Sequence, residues 1–136
     1  MKYLLDTCVL SDCARGEGNT LARLKATPLE LIAASSITVM EVEFGLALDA
    51  SRARKLAPVI HALLDAIAVV PYDADDARAS AALRAAMHKK GRPIGAYDVL
   101  IAGCAMARGL VLISSNACEF GRVGGLKLEN LRERQA

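Results

Sequence analysis

A chain of 136 residues with 54% hydrophobic content has enough material for one ordinary core without covalent staples. Its net charge of +2, from 17 basic and 15 acidic residues, excludes a histone-like polycation, so any grip on nucleic acid must come from local clusters. Aromatics make up 4% and Trp is absent, so the core is aliphatic, and a positive mean hydropathy leaves apolar surface for a partner, such as a second copy of the chain.

Lys2 to Asp6 reads as a short buried strand, followed at once by a helix over Thr7 to Arg15 that Thr7 or Asp6 caps and Gly16 stops. A second short helix runs from Asn19 to Lys25 and ends before Pro28. Leu31 to Ser35 is a second strand, with Ser36 or Thr38 capping the helix that carries Glu41. Ser51 to Ala66 has Leu56, Val59, Ile60, Leu63 and Leu64 at helical spacing, and Ile67 to Val70 is a third apolar strand closed by Pro71. Asp75 to Lys90 is an Ala-rich helix with a turn at Gly91 and Pro93. Tyr97 to Arg108 is an apolar helix stopped by Gly109, Leu110 to Ser114 is a strand, and Leu126 to Leu128 is a last short one. Strands alternating with helices predict an α/β fold with a mostly parallel sheet and helices on both faces, in a single domain over 1–136.

Cys8, Cys13, Cys104 and Cys118 form no CxxC pair and no zinc pattern. With no signal peptide and no membrane-length apolar run, they point to a reducing cytoplasm and no membrane role. No GxxxxGK[ST] or GxGxxG segment supports nucleotide binding, and an aspartyl phosphotransferase would need a second Asp where Cys8 stands.

Three acids sit in apolar surroundings: Asp6 at the end of the first strand, Glu41 within Ile37 to Gly45, and Asp98 at the head of Val99 to Ala107. An isolated carboxylate there would sooner bind a proton than stay charged, and three converging carboxylates make sense around a divalent cation. Functional groups of parallel sheets gather beyond the carboxyl ends of the strands, which would bring Asp6, Glu41, Asp98 and Asn116 to one edge. An oxygen-rich set without histidine favours Mg²⁺ or Mn²⁺, and such sites suit phosphodiester cleavage. Taken singly, each acid has a plain structural use: Asp6 as a cap, Asp98 as a complement to a helix dipole, Glu41 as an ion-pair partner. Glu43, Asp12, His61 and His88 read as structural or surface residues. The run His88-Lys89-Lys90-Gly91-Arg92 is a solvated helix end that could also hold an RNA backbone.

Tyr3-Leu4-Leu5-Asp6-Thr7-Cys8-Val9-Leu10-Ser11-Asp12 resembles the opening signature of PIN-domain proteins, especially VapC-type toxins. Ser35 to Gly45, Ile94 to Ala102, and Leu112 to Phe120 followed by Gly125-Leu126 resemble that family's second, third and fourth motifs, in order and across nearly the whole chain. The resemblance implies a Mg²⁺- or Mn²⁺-dependent endoribonuclease held in check by a cognate VapB-type antitoxin, and self-association as a homodimer is expected beside it. It makes Asp6, Glu41 and Asp98 the metal ligands. It also places Asn116 at the site to position water or metal, and Ser114 in support. Cys8 stands where Asn is common. The rival expectation is a non-catalytic interaction module whose acids cap helices and attract a basic partner segment.

Overall fold

The computed structural model describes residues 1–133. Five short strands, β1 (Tyr3–Leu5), β2 (Ile32–Ser35), β3 (Ala68–Val70), β4 (Val111–Ile113) and β5 (Leu128–Glu129), form one sheet in the order β3-β2-β1-β4-β5. All four pairings are parallel, with Tyr3 opposite both Ile32 and Val111. The helices are α1 (Thr7–Arg15), α2 (Gly18–Lys25), α3 (Ser36–Leu48), α4 (Ala50–Ala66), α5 (Ala74–Lys89), α6 (Asp98–Arg108) and α7 (Ala117–Phe120). The predicted α/β architecture is the one observed. No described helix is long and apolar enough to cross a membrane.

The period-two alternation of strands divides the core in two. Leu5, Ile32, Ala34 and Ile113 face α1, α3 and α4, where they meet Val9, Leu10, Val42, Leu56, Ile60 and Leu64. Leu4, Ala33 and Leu112 face the other way, onto Leu83, Met87, Ile101, Ala105 and Phe120 of α5, α6 and α7. Each such aliphatic side chain contributes about 1.5–3 kcal/mol when fully buried. The α5–α6 contact is close because Gly103 lacks a side chain: a Cβ there would meet the Ser80 backbone at 2.8 Å.

Three local details differ from the sequence reading. The cap of α3 is Ser35, whose Oγ accepts from Ile37 N at 3.0 Å, because the helix leaves the last strand residue without a linker. Thr38 is instead fully buried, with its hydroxyl 3.5 Å from the Leu5 carbonyl. The last strand lies at Leu128–Glu129 and shares only Leu128 with the expected Leu126 to Leu128, because Leu128 is the residue that pairs with Leu112.

The chain builds β2 and β3 on one side of β1, then crosses to build β4 and β5 on the other. The carboxyl ends of β1 and β4 therefore flank a switch point, where parallel sheets leave a crevice.

Candidate metal centre

Asp6 follows directly on β1 and serves as N-cap of α1, its Oδ1 accepting from Thr7 N at 2.8 Å. Its Oδ2 accepts from the Ser114 hydroxyl at 2.7 Å, and the Asp6 backbone N–H donates to the Ile113 carbonyl at 2.9 Å. Asp6 is 5% exposed and Ser114 fully buried, so the ends of β1 and β4 are locked together at this point. Glu41 arrives from the second turn of α3, where its Oε1 accepts from the Thr7 hydroxyl at 2.9 Å. Asp98 is the first residue of α6.

Asp6, Glu41 and Asp98 each offer a carboxylate oxygen, and these three atoms lie within 4.8 Å of one another. Neighbouring ligands of an octahedral hard cation with bonds of roughly 2.0–2.1 Å stand about 3–4 Å apart, so the trio fits such an ion with small side-chain adjustments. Among the described residues no lysine, arginine or histidine forms an ion pair with any of the three.

The electrostatics record the crowding. Asp98 is pushed up to about 7, by partial burial first and then by the charges of Asp6 and Glu119. Glu41 is also raised, by burial and by Asp6, against the opposing hydrogen bond from Thr7. Carboxylates that resist ionisation together are poised to exchange a proton for a metal ion.

Asn116, in the loop after β4, has its carboxamide turned to Glu119, with Nδ2 donating to Oε2 at 3.1 Å. Its backbone N–H donates to the Ser114 hydroxyl at 3.0 Å. Sequence reasoning passed over Glu119. The first turn of α7 brings its carboxylate to the Gly95 N–H and beside Asp98, where the two acids oppose each other: Asp98 is raised and Glu119, held by Gly95 and Asn116, is lowered. The available signal was its position one helical turn after Asn116, beside the buried Phe120.

Cys8 is a hub. Its sulfur accepts from the Ser115 N–H at 3.4 Å and the Ser115 hydroxyl at 3.2 Å, and lies 3.5 Å from Asp6 Oδ2. Burial and the Asp6 charge raise this thiol, which stays neutral and serves as a polar staple between α1 and the β4–α7 loop.

The remaining flagged residues lie elsewhere. Asp12 is buried against Arg15 and Arg132. Glu43 pairs with His61 at 2.6 Å on the surface, and His88 is exposed on α5.

The PIN domain family matches residues 3–126. A "tRNA(fMet)-specific endonuclease VapC" of Shigella flexneri is 34% identical over 130 residues, covering 96% of this chain and 98% of the relative. The DNA-bound VapBC structure of Salmonella typhimurium contains a chain that superposes with a TM-score of 0.87 at 32% identity, covering 96% and 98% of the two chains. A toxin–antitoxin complex from Klebsiella pneumoniae gives 0.76 at 26% identity, over 98% and 100%.

Proposed function

The chain belongs to the PIN-domain family, and from that premise we propose that it is a metal-dependent endoribonuclease, the toxin of a VapBC-type toxin–antitoxin pair. The observation that carries the reading is the carboxylate trio of Asp6, Glu41 and Asp98 at a switch point, half-buried to buried and, among the described residues, without an ion-pair partner. The unit is taken as one domain over residues 1–136, acting in the cytoplasm, where its four free cysteines remain thiols.

Asp6, Glu41 and Asp98 would hold Mg²⁺ or Mn²⁺. A bound divalent cation supplies an activated water and neutralises charge on a phosphodiester under attack. The chain's own groups prepare the place: Ser114 fixes the Asp6 carboxylate from β4, Thr7 fixes Glu41, and Cys8 ties down the loop that presents Ser114. Asn116 holds Glu119, which in turn braces Asp98 and the Gly95 N–H, so the assigned role of Asn116 is exerted through that chain of contacts. Transfer RNA is the substrate class named for the Shigella relative and is the first substrate to try.

The partner is a VapB-type antitoxin, in keeping with the complexes that the solved relatives form. An apolar stripe supports it: Met40, Phe44 and Leu48, at 40%, 62% and 71% exposure, lie along α3 beside Glu41. Such a stripe suits an amphipathic segment, and an arginine on that segment could reach the acidic cluster. The same surplus of apolar surface is the ground for expecting a homodimer.

The helix-capping rival has two observations in its favour, the Asp6 bond to Thr7 N and the place of Asp98 in the first turn of α6, but it leaves Glu41 and the convergence of the three acids unexplained. Asp98→Asn should cut cleavage of tRNA(fMet) by on the order of 10²–10³-fold and abolish the rise in melting temperature on adding Mn²⁺. Parental cleavage by folded Asp98→Asn protein would sink the reading.

A further inference from the structure

A groove of about 440 Å³ runs between α5 and residues 93–100, lined among others by Tyr72, Ala81, Arg84, His88, Ile94 and Val99. That volume falls in the range of small-ligand sites, roughly 300–1,000 Å³. The groove shares a wall with the carboxylate cluster. A Cβ on Gly95 would stand 3.1 Å from Asp98 Oδ2 and 3.2 Å from Glu119 Oε1, so residue 95 faces the acids. Its neighbours Ile94 and Ala96 line the groove, and one strand of backbone separates the two spaces.

The composition of that face is one-sided. Ala77, Ser80, Ala81, Arg84 and His88 follow one another at helical spacing along α5, small residues opening the floor and Arg84 and His88 standing at the far end. From Ala77 to Tyr97 the sequence holds no acid, while Arg78, Arg84, Lys89, Lys90 and Arg92 are all basic. Arg78 is spent on Asp75, whereas among the described residues Arg84, Lys89, Lys90 and Arg92 are exposed and form no ion pair. Arg15, Arg108 and Arg132, by contrast, are taken up by the buried carboxylates Asp12 and Asp76. Of the exposed cations, Arg84 lines the groove, Lys89 and Arg92 follow in the turn that leads to its wall at Pro93, and Lys90 lines a separate cavity against Met106.

Resting on the ribonuclease reading, we infer that this groove is the subsite for a nucleotide next to the cleaved phosphodiester. Its sugar or base lies on Ile94, Val99 and the Tyr72 ring, and Arg84 at the groove's rim holds an adjoining phosphate. Apolar walls with a cationic rim match the two halves of a nucleotide, and the shared wall places the next phosphate at the acids.

The test uses the full chain, 5′-fluorescein-labelled tRNA(fMet) and Mn²⁺, with steady-state cleavage read over a salt series. Ala81→Phe, which fills the groove from α5, should raise KM by roughly tenfold or more with kcat little changed, the pattern of lost substrate binding. Arg84→Ala should raise KM and lower the slope of log affinity against log salt by about one, and Arg84→Lys should restore most of that slope. Arg54→Ala, an equal charge change on exposed α4, should match the parent. Melting curves and the Mn²⁺-induced shift show that each variant is folded and loaded. Parental KM in both Ala81→Phe and Arg84→Ala overturns the subsite while leaving the ribonuclease reading standing. So does a changed native mass in Ala81→Phe with KM intact, which would make the groove a subunit contact. A parent that neither binds nor cleaves the RNA overturns both.

Discussion

The fold neutralises its buried carboxylates in two different ways. Asp12 and Asp76, each 1% exposed, are both met by arginine: Asp12 by Arg132 at 2.5 and 2.7 Å and Arg15 at 2.8 Å, Asp76 by Arg108 at 3.1 Å. Asp6, at 5%, receives only neutral donors from Ser114, Thr7 and Cys8, and shares its surroundings with two more acids. Asp6 and Asp12 stand at the start and in the middle of the same helix. Arginine was therefore available to this architecture as a counter-charge, and among the described residues none pairs with the acids at the switch point. A fixed guanidinium would close the site, whereas a removable cation leaves room for a substrate phosphate.

Breaking the arginine-paired side should have the largest effect on stability. The double substitution Arg15→Ala with Arg132→Ala strands Asp12 in the interior and should cost about 3–5 kcal/mol in denaturant unfolding. Adding Asp12→Leu should recover most of that loss, since an apolar replacement of a buried ion pair is often neutral or better. No recovery would mean that the arginines act through packing, and the contrast with Asp6 would lose its basis.

The two sides should also respond to pH with opposite sign. Burial alone would raise the Asp12 carboxyl, but the hydrogen bonds and charges of Arg132 and Arg15 bring it below the usual carboxylate range. Its contribution is therefore present above its ordinary value of 3.8 and is lost as pH falls through the lower native value. Asp98 runs the other way. Between its ordinary 3.8 and about 7 the native protein binds a proton that the unfolded chain does not, so metal-free stability declines as pH rises across that window. Melting the metal-free protein from pH 5 to pH 8 should show this decline, and Asp98→Asn should flatten it. Saturating Mn²⁺ should flatten it too, by taking the proton's place.

The smallest effect belongs to Asn116→Asp. It removes the donor to Glu119 and sets a carboxylate against it, so the metal-free protein should lose about 1 kcal/mol. The Mn²⁺-induced rise should exceed the parent's if the new carboxylate reaches the ion. An unchanged Mn²⁺ response would confine Asn116 to bracing Glu119.

Much of this was legible in the sequence because each local signal agreed with its neighbours. Asp6 and Gly16 bracket α1, Pro71 closes β3, and Gly109 stops α6. The order of the strands was not legible, since three-residue apolar strands carry no mark of which neighbour they take. Glu119 was missed because its importance depends on a meeting with Gly95 and Asp98 that neither segment announces. The partner of Asp12 lies 120 residues away along the chain. The apolar stretch around Glu41 suggested burial, yet only Thr38 and Val42 of α3 are buried, and Phe44 and Leu48 face outward. The comparable run in α6 is buried at Val99 and from Ile101 to Ala105. Hydropathy alone does not separate a helix covered by its own domain from one awaiting another protein.

The place of β5 sets a birth order for the protein. The Ser114 N–H is held by the Glu129 carbonyl at 3.0 Å and the Leu112 N–H by the Lys127 carbonyl at 2.8 Å. Ser114 in turn fixes Asp6, and Arg132 neutralises Asp12 on the helix that Asp6 begins. Asp6 is thus completed by residues made about 120 positions later, and at roughly 5–20 residues per second that interval lasts about 6–25 s. During that time the nascent chain carries an apolar α3 stripe without a finished centre. On the proposed function, an antitoxin made beside it would meet that stripe before there is an activity to restrain. Ribosome-stalled chains ending at Lys127 should capture the antitoxin yet cleave no RNA, and cleavage by such chains would contradict this order.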